Sequence, residues 1–146
     1  MNEFRWVFHR DLRIAELALA GEVTTAALQT AHQRLAACPD WRRDWQILMS
    51  AGSDTRLEAL TLPALRLHQS YILGWNLRHR AVSEARTALV CSDAVRLSIA
   101  HLWETVNRLD SATQVAAFDD RDRALEWLRP GVAGSRLDRL GTALAD

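Results

Sequence analysis

Phe4, Trp6 and Phe8 alternate with Arg5, Val7 and His9, a period of two that predicts a half-buried β-strand at a sheet edge. The stretch Arg13 to Ala20, with Ile14, Ala15, Leu17 and Leu19, predicts a second strand after a turn at Arg10-Asp11. So short a connection makes the two an antiparallel hairpin. Gly21-Glu-Val-Thr24 then supplies a turn and a threonine N-cap, after which Leu28, Ala31, Leu35 and Cys38 recur at helical spacing until Pro39. Trp45 to Ala51 is an apolar run bounded by polar turns, as a central strand buried on both faces requires.

A longer helix is predicted from Thr61 to Arg80, with Pro63 in its first turn, although its apolar spacing (Leu62, Leu65, Ile72, Trp75) is irregular and Gly74 interrupts it. Arg86 to Ser92 predicts the next strand, and Asp93 the cap of a helix with Val95, Ile99, Leu102, Val106 and Leu109 in one stripe. Ala112 to Phe118 predicts the last strand. Asp119 or Asp120 caps a final helix with Ala124, Leu125 and Leu128 on its core side, stopped by Pro130-Gly131. Leu137, Leu140 and Leu144 suggest one more short amphipathic piece. The expected unit is thus residues 1–130 followed by a 131–146 tail. After the opening hairpin, alternation of strand and helix implies a mostly parallel five-stranded sheet, and strands added in one direction put every crossover helix on one face.

Composition narrows the function classes. A chain of 146 residues with 49% hydrophobic and 25% charged residues suits one ordinary folded domain. Formal net charge is +0 and the cations, all arginine, are scattered among acids, so no field or patch favours nucleic acid. Two cysteines, Cys38 and Cys91, are too few for a disulfide scaffold or a zinc site. No apolar run approaches the ~20 residues that span a bilayer, and the opening has no signal-peptide pattern. The expectation is a reduced, cytoplasmic bacterial protein without a membrane span.

The pattern resembles the SpoIIAA-like proteins of the STAS superfamily, especially their small stand-alone bacterial members. The resemblance is carried by Ala88-Leu-Val-Cys-Ser-Asp93, the helix Leu97-Ser-Ile-Ala-His-Leu-Trp103-Glu104, the strand Gln114-Val-Ala-Ala-Phe118 and the segment Arg123-Ala-Leu-Glu-Trp127-Leu128. It implies an α/β fold with helices mainly on one face of a mixed sheet, a regulatory or scaffolding role, and no cofactor. Anti-sigma-factor antagonists of this superfamily carry an Asp-Ser-Ser-Gly phosphoswitch after the central strand. Here the corresponding stretch is Ser50-Ala-Gly-Ser53-Asp54, and Ser98 and His101 stand where Gly and Arg are expected in the third helix.

In open α/β sheets ligands sit beyond the carboxyl ends of the strands, which directs attention to loops 50–56, 92–96 and 119–121. These gather Asp54, Asp93, Asp119 and Asp120, a set that suits a divalent cation, but Asp93 and Asp120 stand where helix N-caps are needed. A phosphate on Ser50 or Ser53 would add nearly two negative charges beside the next helix. His101 lies near Trp103 and Arg96 on the third helix. No nucleophile elbow, HxxxH or HExxH pattern or Gly-rich phosphate loop occurs, so no catalytic or metal-binding residue is assigned. Of six tryptophans, Trp41, Trp75 and Trp103 are those expected to line an interface or a pocket. The expected function is a non-enzymatic module that contacts a protein partner or a second copy through Ser50, Ser53, Asp54, Arg56, Asp93, Arg96, His101 and Trp103. The alternative is a carrier or sensor of a small lipophilic ligand, since the layout also resembles the lipid-binding CRAL-TRIO fold.

Overall fold

A computed structural model describes residues 4–81, 84–110 and 113–129, without the side chains of residues 109 and 110. The predicted tail piece at 131–146 lies outside the described residues. Strand β1 (Arg5–His9) turns through Arg10–Arg13 into β2 (Ile14–Leu19), and the two pair antiparallel with Val7 opposite Glu16. Arg13 closes the turn with φ 56°, an uncommon left-handed conformation for a residue with a side chain.

The rest of the chain alternates as predicted: α1 (Thr25–Ala37), β3 (Gln46–Ala51), α2 (Leu62–His79), β4 (Arg86–Cys91), α3 (Ala94–Asp110), β5 (Gln114–Phe118) and α4 (Arg121–Leu128). The sheet order is β1-β2-β3-β4-β5, with every pair after the first parallel. Thr24 and Thr61 cap α1 and α2 by accepting the N–H groups of Ala27 and Ala64, and Asp120 caps α4 by accepting that of Asp122. Helix α2 passes through Gly74 without a break.

Strand alternation divides the core in two. Ala15, Leu17, Leu19, Ile47, Met49, Leu89 and Cys91 face the three crossover helices and pack with Leu28, Leu35, Leu65, Trp75, Ala100 and Trp103. Ile14, Leu48 and Ala88 point the other way, where Ala124 and Leu128 of α4 cover them. Helix α4 follows the last strand, so no crossover rule binds it to the side of the others.

In α3 the buried side is Ala100, Trp103, Val106 and Asn107, whereas Val95, expected at the head of the apolar stripe, is 70% exposed. It lies in the first turn of a helix that starts beyond the end of β4, too far out to reach the sheet. Among the described residues, no helix is long and apolar enough to cross a membrane.

Candidate functional site

At the carboxyl ends of β3 and β4, the sequence-predicted residues Ser53, Asp93 and Arg96 meet. The Asp93 carboxylate accepts the backbone N–H of Arg96 at 2.9 Å and pairs with the Arg96 guanidinium. These bonds, the backbone one first, hold the Asp93 carboxyl below the usual carboxylate range. The same guanidinium donates through Nε to the Thr55 carbonyl at 2.5 Å and through Nη2 to the Ser53 carbonyl at 2.7 Å. Thr55 is fully buried and donates its hydroxyl to the Leu19 carbonyl.

On the other side of the loop, Arg56 N–H bonds to the Gly21 carbonyl at 2.7 Å, and Val23 N–H bonds to the Arg56 carbonyl at 2.9 Å. Gly21 sits at φ 62°, which suits glycine. The loop 52–56 is therefore tied down on both flanks, while the side chains of Ser53, Asp54 and Arg56 remain exposed. Asp93 acts as a cap and as the partner of Arg96. Among the described residues no group of three or more His, Cys, Asp or Glu is placed to hold a metal ion. His101 is exposed on the outer side of α3, 3.8 Å from Glu104, and does not join the loop.

Ser50 belongs to a different arrangement. It lies within β3, not in the loop, and donates to the Glu16 carboxylate at 2.8 Å on the sheet face that α4 covers. Arg121, the first residue of α4, grips Glu16 with two bonds of 2.6 Å, and His9 lies 2.8 Å from the same carboxylate. Arg121 is the main cause that pulls the Glu16 carboxyl down to about 2, against the opposing effect of burial and with help from His9 and Ser50. With its oxygens engaged by three neighbours, Glu16 ties α4 to the hairpin and is not available as a general base.

Replacing Glu16 by Gln should cost about 2 kcal/mol of stability at neutral pH, because a half-buried guanidinium loses its counter-charge. Glu16 has a depressed pKa in the folded state, so its contribution is full above the ordinary 4.5 and is lost as pH falls towards 2. Urea unfolding of the variant should lack that acid limb. A loss below ~0.5 kcal/mol would contradict the tether.

Of the tryptophans expected to line an interface or a pocket, Trp103 borders a small cavity, and all three are inside. Trp41, Trp75 and Trp103 are all buried, because their large apolar rings fill the layer between α1, α2, α3 and the sheet. Trp103 stacks edge-on against His68 with ring centres 5.4 Å apart and borders a small, partly open cavity of about 20 Å³. Its lining is mixed: His32, His68, Gln69, Asn76, Arg80 and Asn107 bring polar groups, beside the apolar Met49, Ile72 and Val115. Cys91 is buried, and burial pushes its thiol up to about 11, away from the range of a nucleophile.

No protein-family model matches the sequence, and no curated protein matches it. Among solved structures it is similar to an uncharacterized protein of the DUF3478 family from Shewanella loihica PV-4, described as having a SpoIIAA-like fold. The likeness has a TM-score of 0.52 and 12% identity, and it covers 88% of this chain and 95% of the other. The chain has a SpoIIAA-like fold. The sheet order, the single antiparallel pair and the four helices agree with that fold and with the sequence expectation. At 12% identity the likeness concerns the fold alone, and the SpoIIAA-like layout brings no activity with it.

Proposed function

We propose that this SpoIIAA-like protein is a non-enzymatic interaction module, and that its contact surface is the loop 52–56 together with the first turn of α3. The observation that carries this reading is the Arg96 clamp. One guanidinium bonds to the carbonyls of Ser53 and Thr55 and to Asp93, fixing a loop whose Ser53, Asp54 and Arg56 are exposed. A surface ordered beforehand loses little conformational entropy on docking. Val95, exposed beside the clamp, supplies an apolar centre, and Asp54 and Arg56 supply a charged rim of both signs, the usual make-up of a small protein contact. The partner is another protein or a second copy of the chain. Arg96 is a positioning residue here, and Arg56, Asp54, Val95 and Ser53 are the contacting ones.

The test is a double substitution, Arg56→Glu with Val95→Asp, assayed for complex formation and for folding. Both side chains are exposed, so the fold should persist with a stability change within about 0.5 kcal/mol. The complex should weaken at least tenfold, about 1.4 kcal/mol. Arg96→Leu should weaken it too, accompanied by faster proteolysis at 52–56. An unchanged complex in the folded double variant overturns the proposal.

A further inference from the structure

Arg80 carries a charge that its described surroundings do not answer. It closes α2 as the C-cap residue and is only 2% exposed. Its guanidinium donates to the Thr87 hydroxyl at 2.7 Å, the Gln46 side-chain oxygen at 3.2 Å and the Arg86 carbonyl at 2.6 Å, all neutral acceptors. Its Nε has no partner among the described residues. Burial alone acts on it, pulling its pKa down to about 9, and it remains a cation at neutral pH. An isolated buried cation is among the most costly features an interior can hold, and neutral hydrogen bonds offset only part of that cost.

The cavity beside it has the complementary character. Gln69 Nε2 and His68 Nδ1 are buried without a partner among the described residues and line the same space, as does Asn76 Oδ1. Gln69 Nε2 brings an N–H donor, the neighbouring imidazoles of His32 and His68 are neutral, and no protein anion among the described lining residues balances Arg80. A volume of about 20 Å³ exceeds the ~10–15 Å³ that a single water needs, and it is too small for phosphate or a carboxylate metabolite.

We propose that this cavity, between α2, α3 and the sheet, is a binding site for one small monovalent inorganic anion of halide size, held against the Arg80 guanidinium with Gln69 Nε2 as a second donor. Water satisfies the donors equally well but leaves the charge uncancelled, and the anion does both. The site shares no residue with the proposed docking loop. Its role is structural: the anion locks α2 to the sheet and couples the stability of the fold to the ionic content of its surroundings.

The experiment is thermal unfolding at constant pH and ionic strength, with chloride or bromide replacing gluconate. Tm of the wild-type chain should rise by about 5 °C as halide goes from absent to saturating, the expected size for an ion bound by the folded state alone. Gln69→Glu places a carboxylate in the same cavity and should make Tm independent of halide. In bromide-soaked crystals of the wild-type protein, an anomalous peak should lie beside Arg80. A wild-type Tm that ignores halide, an equal rise in Gln69→Glu, or bromide bound only at the surface would each overturn the site. The bromide measurement decides the matter even where the variant fails to fold.

Discussion

Acidification from pH ~7 to ~5 should remove about 4 kcal/mol of this protein's stability, well before most carboxylates titrate. The cause is the pair His32 and His68, whose rings lie 5.9 Å apart in the buried layer between the helices. Burial is the leading influence on both, holding His32 at about 4 and His68 at about 3 against an ordinary 6.5. His32 Nδ1 donates to the Leu28 carbonyl at 2.8 Å, a bond that partly opposes the shift, while Arg80 reinforces it. Both histidines are neutral in the folded state and become charged on unfolding below pH 6.5, so each proton taken up by the unfolded chain favours unfolding. The loss therefore starts near 6.5, grows with acidity, and is joined below 4.5 by the weakening of the Glu16 tether. Urea unfolding at a series of pH values checks this. A flat profile between pH 7 and 5 would contradict it, and His68→Gln should reduce the slope by about half.

Trp75→Ala should destabilise the fold by about 4 kcal/mol, enough to leave a marginal domain largely unfolded at body temperature. Trp75 is 1% exposed and packs against His32, Trp41 and His79, with ring centres 4.9, 6.0 and 5.0 Å away. Its indole donates to the His32 carbonyl at 3.0 Å, so truncation opens a large cavity and strips a buried carbonyl of its partner. Chemical denaturation measures the effect. The sequence expectation placed this tryptophan at an interface or pocket, where its loss would weaken binding and spare stability. A loss of less than ~1 kcal/mol would favour that expectation.

The elements themselves were legible because their patterns are local. The alternation of Phe4, Trp6 and Phe8, the Thr24 cap and the Asp120 cap each rest on residues a few positions apart. Helix α2 read poorly for a physical reason. Its buried side is Leu65, His68, Gln69, Trp75 and Asn76, a regular helical stripe in which three of five residues are polar, so a search for apolar periodicity misses it. Its polar members His68, Gln69 and Asn76 border the small cavity, and nothing in a linear pattern distinguishes a buried His68 or Gln69 from a solvated one.

Glu16 was missed because its partner Arg121 stands 105 residues away. The available signal was one acidic residue inside the otherwise apolar run Ile14 to Leu19. Arg96 was expected in the carboxyl-end loops as a residue of the contact surface. Its inward role depends on where the Ser53 and Thr55 carbonyls lie, which no side-chain pattern encodes. Ser50 sits one residue inside β3, where strand alternation turns its hydroxyl to Glu16 on the face that α4 covers.

The most direct test of the central claim, that a clamped loop makes this SpoIIAA-like domain a protein-interaction module, is native mass spectrometry of the protein isolated gently from its own host. The account predicts a stoichiometric adduct with another protein or with a second copy, lost in the Arg56→Glu, Val95→Asp variant. A bare monomer, or a monomer retaining a lipophilic molecule of defined mass, would contradict it.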